Sequence, residues 1–174
     1  MRHESSVVWI ESAGGPLLLL EENLLAHWHG CFSNSEDTPT DYDRACDVDG
    51  DIGIIAVGSG QGIVLGEEPF STAWWPLAKL GEGLLVRWVY AESEAAVIRA
   101  LENLPSAAWL RTDVEFQVSN GKLLLFDAAC SGSDIDERLE IEIRKGCYVA
   151  ETLPYQPDEQ TSLILHRFVA TPGA

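Results

Sequence analysis

Asp47-Val48-Asp49-Gly50-Asp51 sets three carboxylates at alternate positions, which offers hard oxygens to a calcium-like cation. The rest of a helix–loop–helix calcium site is absent. Ile52 stands where that pattern takes Gly, and Gly58 where it takes a bidentate Glu. Asp47, Asp49 and Asp51 therefore read first as an acidic turn and only second as metal ligands. His27, His29 and Cys31 also alternate. On a strand they would share a face and, with Cys46, meet a zinc ion, whereas on a helix the two histidines diverge. The spacing fits no standard zinc pattern, so a histidine pair near a helix end beside a packed cysteine is the simpler reading.

Other catalytic patterns break off in the same way. Gly58, Gly60 and Gly62 suggest a phosphate-binding loop, but Ile63 replaces the third glycine of the dinucleotide pattern, and a strand rather than a helix follows. A hairpin is expected there. No Gly-x-Ser-x-Gly elbow exists, and Ser131-Gly132-Ser133-Asp134 reads as a turn. Cys31 or Cys130 with a histidine is the pair that a nucleophilic site would need, but spacing alone joins neither to a base. No catalytic residue and no cofactor is assigned, and the chain is read as a non-enzyme.

The charge points to a binding role. The 174 residues carry 28 acidic and 11 basic side chains, for a formal net charge of −17. Such a surface repels nucleic acid and anionic membranes and attracts basic proteins. Seven acids fall between Glu36 and Asp51, namely Glu36, Asp37, Asp41, Asp43, Asp47, Asp49 and Asp51, against the single base Arg44. With Tyr42 among them, they suit docking to Lys and Arg groups around an aromatic anchor. Trp74-Trp75 points to both faces of a strand, so Trp75 is a further candidate contact and one of the pair is core. Reversal of Asp41, Asp43, Asp47 and Asp49 to Lys is expected to weaken binding with little loss of fold.

The elements that must carry these residues are mostly strands. Val7–Glu11, Pro16–Leu20, Ile52–Val57, Ile63–Leu65, Thr72–Trp75 and Leu84–Tyr90 read as strands in the first part. Val114–Val118 and Lys122–Phe126 flank Asn120-Gly121, a hairpin signal. The segment from Leu139 to Arg144 alternates apolar and charged residues. Tyr148–Leu153 and Ser162–Val169 follow, with Pro154 and Pro157 expected in the loop between them. One clear helix is expected over about 92–104, behind Ser93 and ahead of Pro105, and a weaker one over about 21–28. Ser33–Asp51 reads as a long loop. The fold class is α+β, mostly β, with antiparallel sheets. Residues 1–107 are expected to form an α+β lobe and 108–174 a β-rich lobe packed on it as one unit. No signal peptide or membrane span is evident. The cysteines form no CxxC pair, which suits reduced thiols in the cytoplasm.

Several strings stand together in order. Trp9-Ile10-Glu11-Ser12-Ala13-Gly14-Gly15-Pro16-Leu17 is followed by Asp41-Tyr42-Asp43-Arg44-Ala45-Cys46 and Val57-Gly58-Ser59-Gly60-Gln61. Leu65-Gly66-Glu67-Glu68-Pro69, Thr72-Ala73-Trp74-Trp75-Pro76 and Leu85-Val86-Arg87-Trp88 come next. In this order the chain resembles the immunity protein 21 family of bacterial polymorphic-toxin systems, most specifically over residues 7–104. The resemblance implies a small cytoplasmic protein that binds and neutralises a cognate toxin. It implies no catalytic residues and carries over no toxin-contact residues. A basic, nuclease-like toxin would suit the charge. The alternatives are a metal-dependent enzyme and an acidic regulatory adaptor, and the oligomeric state is left open.

Overall fold

Every residue of strand β2 (Leu17–Glu21) is buried, so both of its faces are covered. Leu17 and Leu19 face one way and Leu18 and Leu20 the other, because successive side chains alternate across a strand. The computed structural model describes residues 7–172 except 34, 67, 69 and 80. Glu67 and Pro69, quoted above in a family-like string, lie outside the described residues.

β2 is the middle of a five-stranded antiparallel sheet. Its order is β3 (Gly53–Val57), β4 (Gly60–Leu65), β2, β8 (Lys122–Asp127) and β9 (Arg138–Glu142). The second sheet has six antiparallel strands. Its order is β1 (Trp9–Ile10), β5 (Ser71–Pro76), β6 (Gly83–Tyr90), β11 (Thr161–Thr171), β10 (Gly146–Asp158) and β7 (Leu110–Val118). The inner faces of the two sheets meet in one core, where Leu17, Leu19, Ile63, Leu65 and Leu125 pack with Leu85, Phe116 and Ala150. Each outer face is also apolar and is covered. Leu24 and Trp28, from a 3₁₀ turn over Glu22–His27 and the residue after it, lie over Leu18, Leu20 and Phe126 with Ala45 of helix α1 (Asp41–Cys46). Val97 and Leu101 of helix α2 (Glu94–Glu102) lie over Leu84, Val86, Leu163 and Leu165. The sandwich thus has four layers, mostly β with some helix. Both sheets take strands from either side of residue 107, joined through the β2–β8 and β6–β11 pairs.

Four expectations change. Asn120-Gly121 does form a turn, but β7 and β8 do not pair with each other. β7 pairs with β10, and β8 with β2 and β9. The turn carries the chain from one sheet to the other, so the two apolar faces meet across the core instead of side by side. The buried Glu21 carboxylate holds this corner. Its Oε1 accepts the N–H groups of Ser119 (2.9 Å), Asn120 (2.5 Å) and Gly121 (3.3 Å), and its Oε2 accepts the Ser119 hydroxyl (2.8 Å). Pro154 and Pro157 lie within β10 rather than in a loop. The pairing of β10 with β7 ends at Thr152, so beyond it β10 is an edge, where a missing N–H breaks no ladder bond. The weak helix over 21–28 is a 3₁₀ turn. The long loop over 33–51 contains α1.

Arg87 and His166 lie on the inner face of the larger sheet. Arg87 is 1% exposed, and its Nη2 donates to the carbonyls of Gly66 and Glu68, both at 2.7 Å. Its Nη1 donates to the Asp51 carbonyl at 3.0 Å, and the guanidinium lies 5.2 Å from the Phe70 ring centre. His166 is fully buried and contacts Thr152 Oγ1 through Nδ1 at 2.8 Å. Its Nε2 has no partner among the described residues. Burial, and secondarily the charge of Arg87, pushes the His166 imidazole down to about 3.

Replacing Arg87 with Met should lower the unfolding free energy by about 3–5 kcal/mol in urea titrations, because buried carbonyls lose their donors. Lys at this position should recover only part of the loss, since one ammonium cannot reproduce the fork. His166 should make stability fall with acid. The unfolded imidazole takes a proton below pH 6.5 and the folded one only near 3. Unfolding free energy measured from pH 6.5 to 5 should therefore fall with a slope approaching ~1.4 kcal/mol per pH unit, and His166→Gln should flatten it.

Candidate functional site

The acidic segment is built around α1. Thr40 caps this helix by accepting the Asp43 N–H at Oγ1 (3.0 Å), while Asp43 Oδ2 accepts the Thr40 N–H and hydroxyl, each at 2.8 Å. Those two bonds, the backbone one first, hold the Asp43 carboxyl below its ordinary range. The Thr40-x-x-Asp43 spacing is a short form of the capping-box signal and was readable in the sequence. Asp41 is a tether rather than a free charge. Its Oδ2 accepts the His29 N–H at 2.8 Å and lies 3.2 Å from His29 Nδ1, and its Oδ1 accepts Arg44 Nη1 at 2.9 Å. Arg44 Nη2 then reaches the Ala56 carbonyl of β3 at 2.7 Å.

Tyr42 turns inward. Its ring packs against the core beneath α1, and its hydroxyl lies over Gly15, where a Cβ would collide with it. A hydrogen bond with the Cys46 thiol, then burial, pushes the Tyr42 hydroxyl up to about 12. The exposed aromatic just before the segment is Phe32, with 70% of its surface open to solvent. Apolar periodicity gave no sign of Phe32, because its exposure depends on how the loop folds. It borders a cavity of about 340 Å³ lined by His29, Thr38, Pro39, Thr40 and Asp41 among others. The loop beneath is held by bonds from Cys31 N to Ala129 O, from Tyr42 N to Gly30 O and from Ser35 N to Ser33 Oγ.

The remaining carboxylates divide by use. Glu36, Asp37, Asp47 and Asp49 are exposed and form no ion pair among the described residues. Asp51 is half-buried, its carbonyl held by Arg87 and its Oδ1 3.8 Å from Arg87 Nη1. Asp47, Asp49 and Asp51 do not gather as metal ligands, and no three His, Cys, Asp or Glu residues among the described ones do so. Trp75 is half-buried against the α2-side core, whereas Trp74 packs into the inter-sheet core and stacks on Phe168 at 6.4 Å. The acidic segment and Trp75 thus lie on different sheets.

Burial, then nearby carboxylates with Asp127 foremost, raises the thiols of Cys31 and Cys130, which makes them poor nucleophiles. All four cysteines are free thiols. The strand glycines Gly60 and Gly62 lie beneath Leu24 and Leu18, whose Cδ1 atoms would stand 2.7 and 2.9 Å from an added Cβ. Their spacing makes room for packing. No described helix is long and apolar enough to cross a membrane.

The family-like strings meet in space. Tyr42 rests on Gly15, Arg87 holds Gly66 and Glu68, and Trp9 meets Trp88 edge to face at 5.2 Å and 64°. A family model described as Immunity protein 21 matches residues 8–161. The chain belongs to this family. No curated protein and no solved structure matches it. Membership supports an immunity protein's role. In this member, those strings fasten α1 to the turn at Gly15, the loop after β4 to Arg87, and β1 to β6.

Thr40→Ala removes the cap of α1 and should destabilise the protein by about 1 kcal/mol in denaturant titrations. Thr40→Ser should restore most of the loss.

Proposed function

We infer that the protein neutralises a cognate toxin by direct contact in the cytoplasm of the producing cell, through the surface around Phe32 and the open carboxylates of Glu36, Asp37, Asp47 and Asp49. The observation that carries this reading is the exposed Phe32 ring, on a segment tied to the fold through Cys31 N and Gly30 O, in a stretch of chain whose Glu36, Asp37, Asp47 and Asp49 form no ion pair among the described residues. An exposed aromatic on a pre-ordered loop supplies an anchor at little ordering cost. Exposed carboxylates in the same stretch, on a chain of net charge −17, supply steering toward a basic face. A toxin that acts on nucleic acid needs such a face to hold phosphates, so a basic, nuclease-like target fits the charge. Asp41 and Asp43 support this surface from below, and Tyr42 fixes α1 to the turn at Gly15. A charge-reversal test that includes Asp41 and Asp43 would therefore damage the fold along with the surface.

The experiment begins with a pull-down of the tagged protein from lysate of the source cell, and the recovered toxin domain then serves in stopped-flow binding. Joint reversal of Glu36, Asp37, Asp47 and Asp49 to Lys should slow association by about tenfold or more at low salt. Phe32→Ala should instead speed dissociation by about tenfold or more. Unfolding curves of both variants should match the parent. An association rate that does not change with salt would sink the steering argument, and wild-type binding by both variants would move the contact elsewhere.

A further inference from the structure

Two adjoining cavities, about 410 and 430 Å³, run beside β9 and share Trp74, Pro76 and Glu140. Together they form a groove on the side of the sandwich where the end strands of the two sheets, β1 and β9, approach each other. Trp75, Leu139 and Val8 add apolar surface at one end, and Val8 is 55% exposed. Glu142 borders the other end together with Glu82, which Lys79 meets at 3.6 Å. Among the described residues, β9 has β8 as its sole strand partner. An edge strand leaves alternate N–H and C=O groups available to another chain. The edge at the opposite end of this sheet is handled differently, because Arg44 of α1 occupies the Ala56 carbonyl of β3.

The side chains of β9 alternate. Leu139 and Ile141 turn toward the inter-sheet core, and Arg138, Glu140 and Glu142 turn to the other face. A second copy of the chain is a poor occupant. It carries the same −17 charge. A basic strand reverses that term. We propose that the groove takes an extended segment of the bound toxin, alternating apolar and basic residues, as an added strand on β9. Its apolar side chains lie along Leu139, Trp74 and Val8, and its Lys or Arg groups stand beside Glu142 and beside Glu140, which Arg138 also meets at 3.3 Å. This inference rests on the toxin-binding reading above and adds a second contact surface to it.

The test needs no toxin. The isotopically labelled protein is titrated with a synthetic peptide of about ten alternating Lys and Val residues, long enough to cover the strand. The amides of Leu139–Glu142 and the indole signals of Trp74 and Trp75 should shift, and amide exchange along β9 should slow. An alternating Glu–Val peptide should leave these signals unchanged. Val8→Asp and the double variant Glu140→Lys/Glu142→Lys should each weaken Lys–Val binding by about tenfold with unfolding curves unchanged. Shifts confined to residues 36–49, no shift at millimolar peptide, or self-association through β9 would each overturn the inference. A captured toxin with a silent β9 would discard the groove and keep the immunity reading. A β9 response with no toxin captured would keep the groove as a strand-binding site and discard its toxin occupant.

Discussion

A single buried guanidinium ties the loops around the sandwich to its interior. Arg87 stands on β6 with almost no exposure, and its donors reach the carbonyls of Asp51, Gly66 and Glu68. A charge in an apolar interior is unfavourable unless hydrogen bonds replace its lost water. Here backbone carbonyls from the entry to β3 and the exit from β4 supply that replacement, so two loops that could wander are fixed by one side chain. The consequence reaches His166. In the same dry interior, near a permanent positive charge, its imidazole stays neutral and leans on Thr152 for its hydrogen bond.

Glu21 solves the complementary problem with a negative charge. A chain that switches sheets must turn through a corner where backbone N–H groups lose their ladder partners, and the Glu21 carboxylate collects them. These two buried ions, one collecting carbonyls and the other N–H groups, let the strands divide between two sheets rather than form one large sheet. The division leaves an apolar outer face on each sheet, which explains why a largely β protein needs short helices on both sides.

The same residue type thus serves two ends. Glu21, Asp41 and Asp43 are committed to backbone and side-chain donors within the fold, and Glu151 is paired with Arg167 at 2.6 Å. Glu36, Asp37, Asp47 and Asp49 are left facing water. An acidic count alone cannot separate these groups, because the separation is made by which N–H or guanidinium lies within hydrogen-bond reach. Membership in the immunity protein 21 family fits a surface of this kind, in which the family-like strings hold the scaffold and the open charges stand at its margin.

Local chemistry in the sequence determined the strand positions, helix α2 with its Ser93 cap, the turn at Asn120-Gly121 and the opposed faces of Trp74 and Trp75. Each of these follows from a residue's own backbone preference or from alternation along one element, which needs no knowledge of distant neighbours. The family-like strings were legible for the same reason. Tertiary structure decided the rest. It sent the strands on either side of Asn120-Gly121 to different sheets, because their apolar faces bury more completely across a core than side by side. It let two prolines enter β10, because β7 stops short of them. It drew Tyr42 down onto Gly15 and left Phe32 outside, and it placed Arg87 among carbonyls more than fifteen residues away in the chain. Those outcomes depend on which groups meet after the layers close, and spacing along the chain carries no record of that distance.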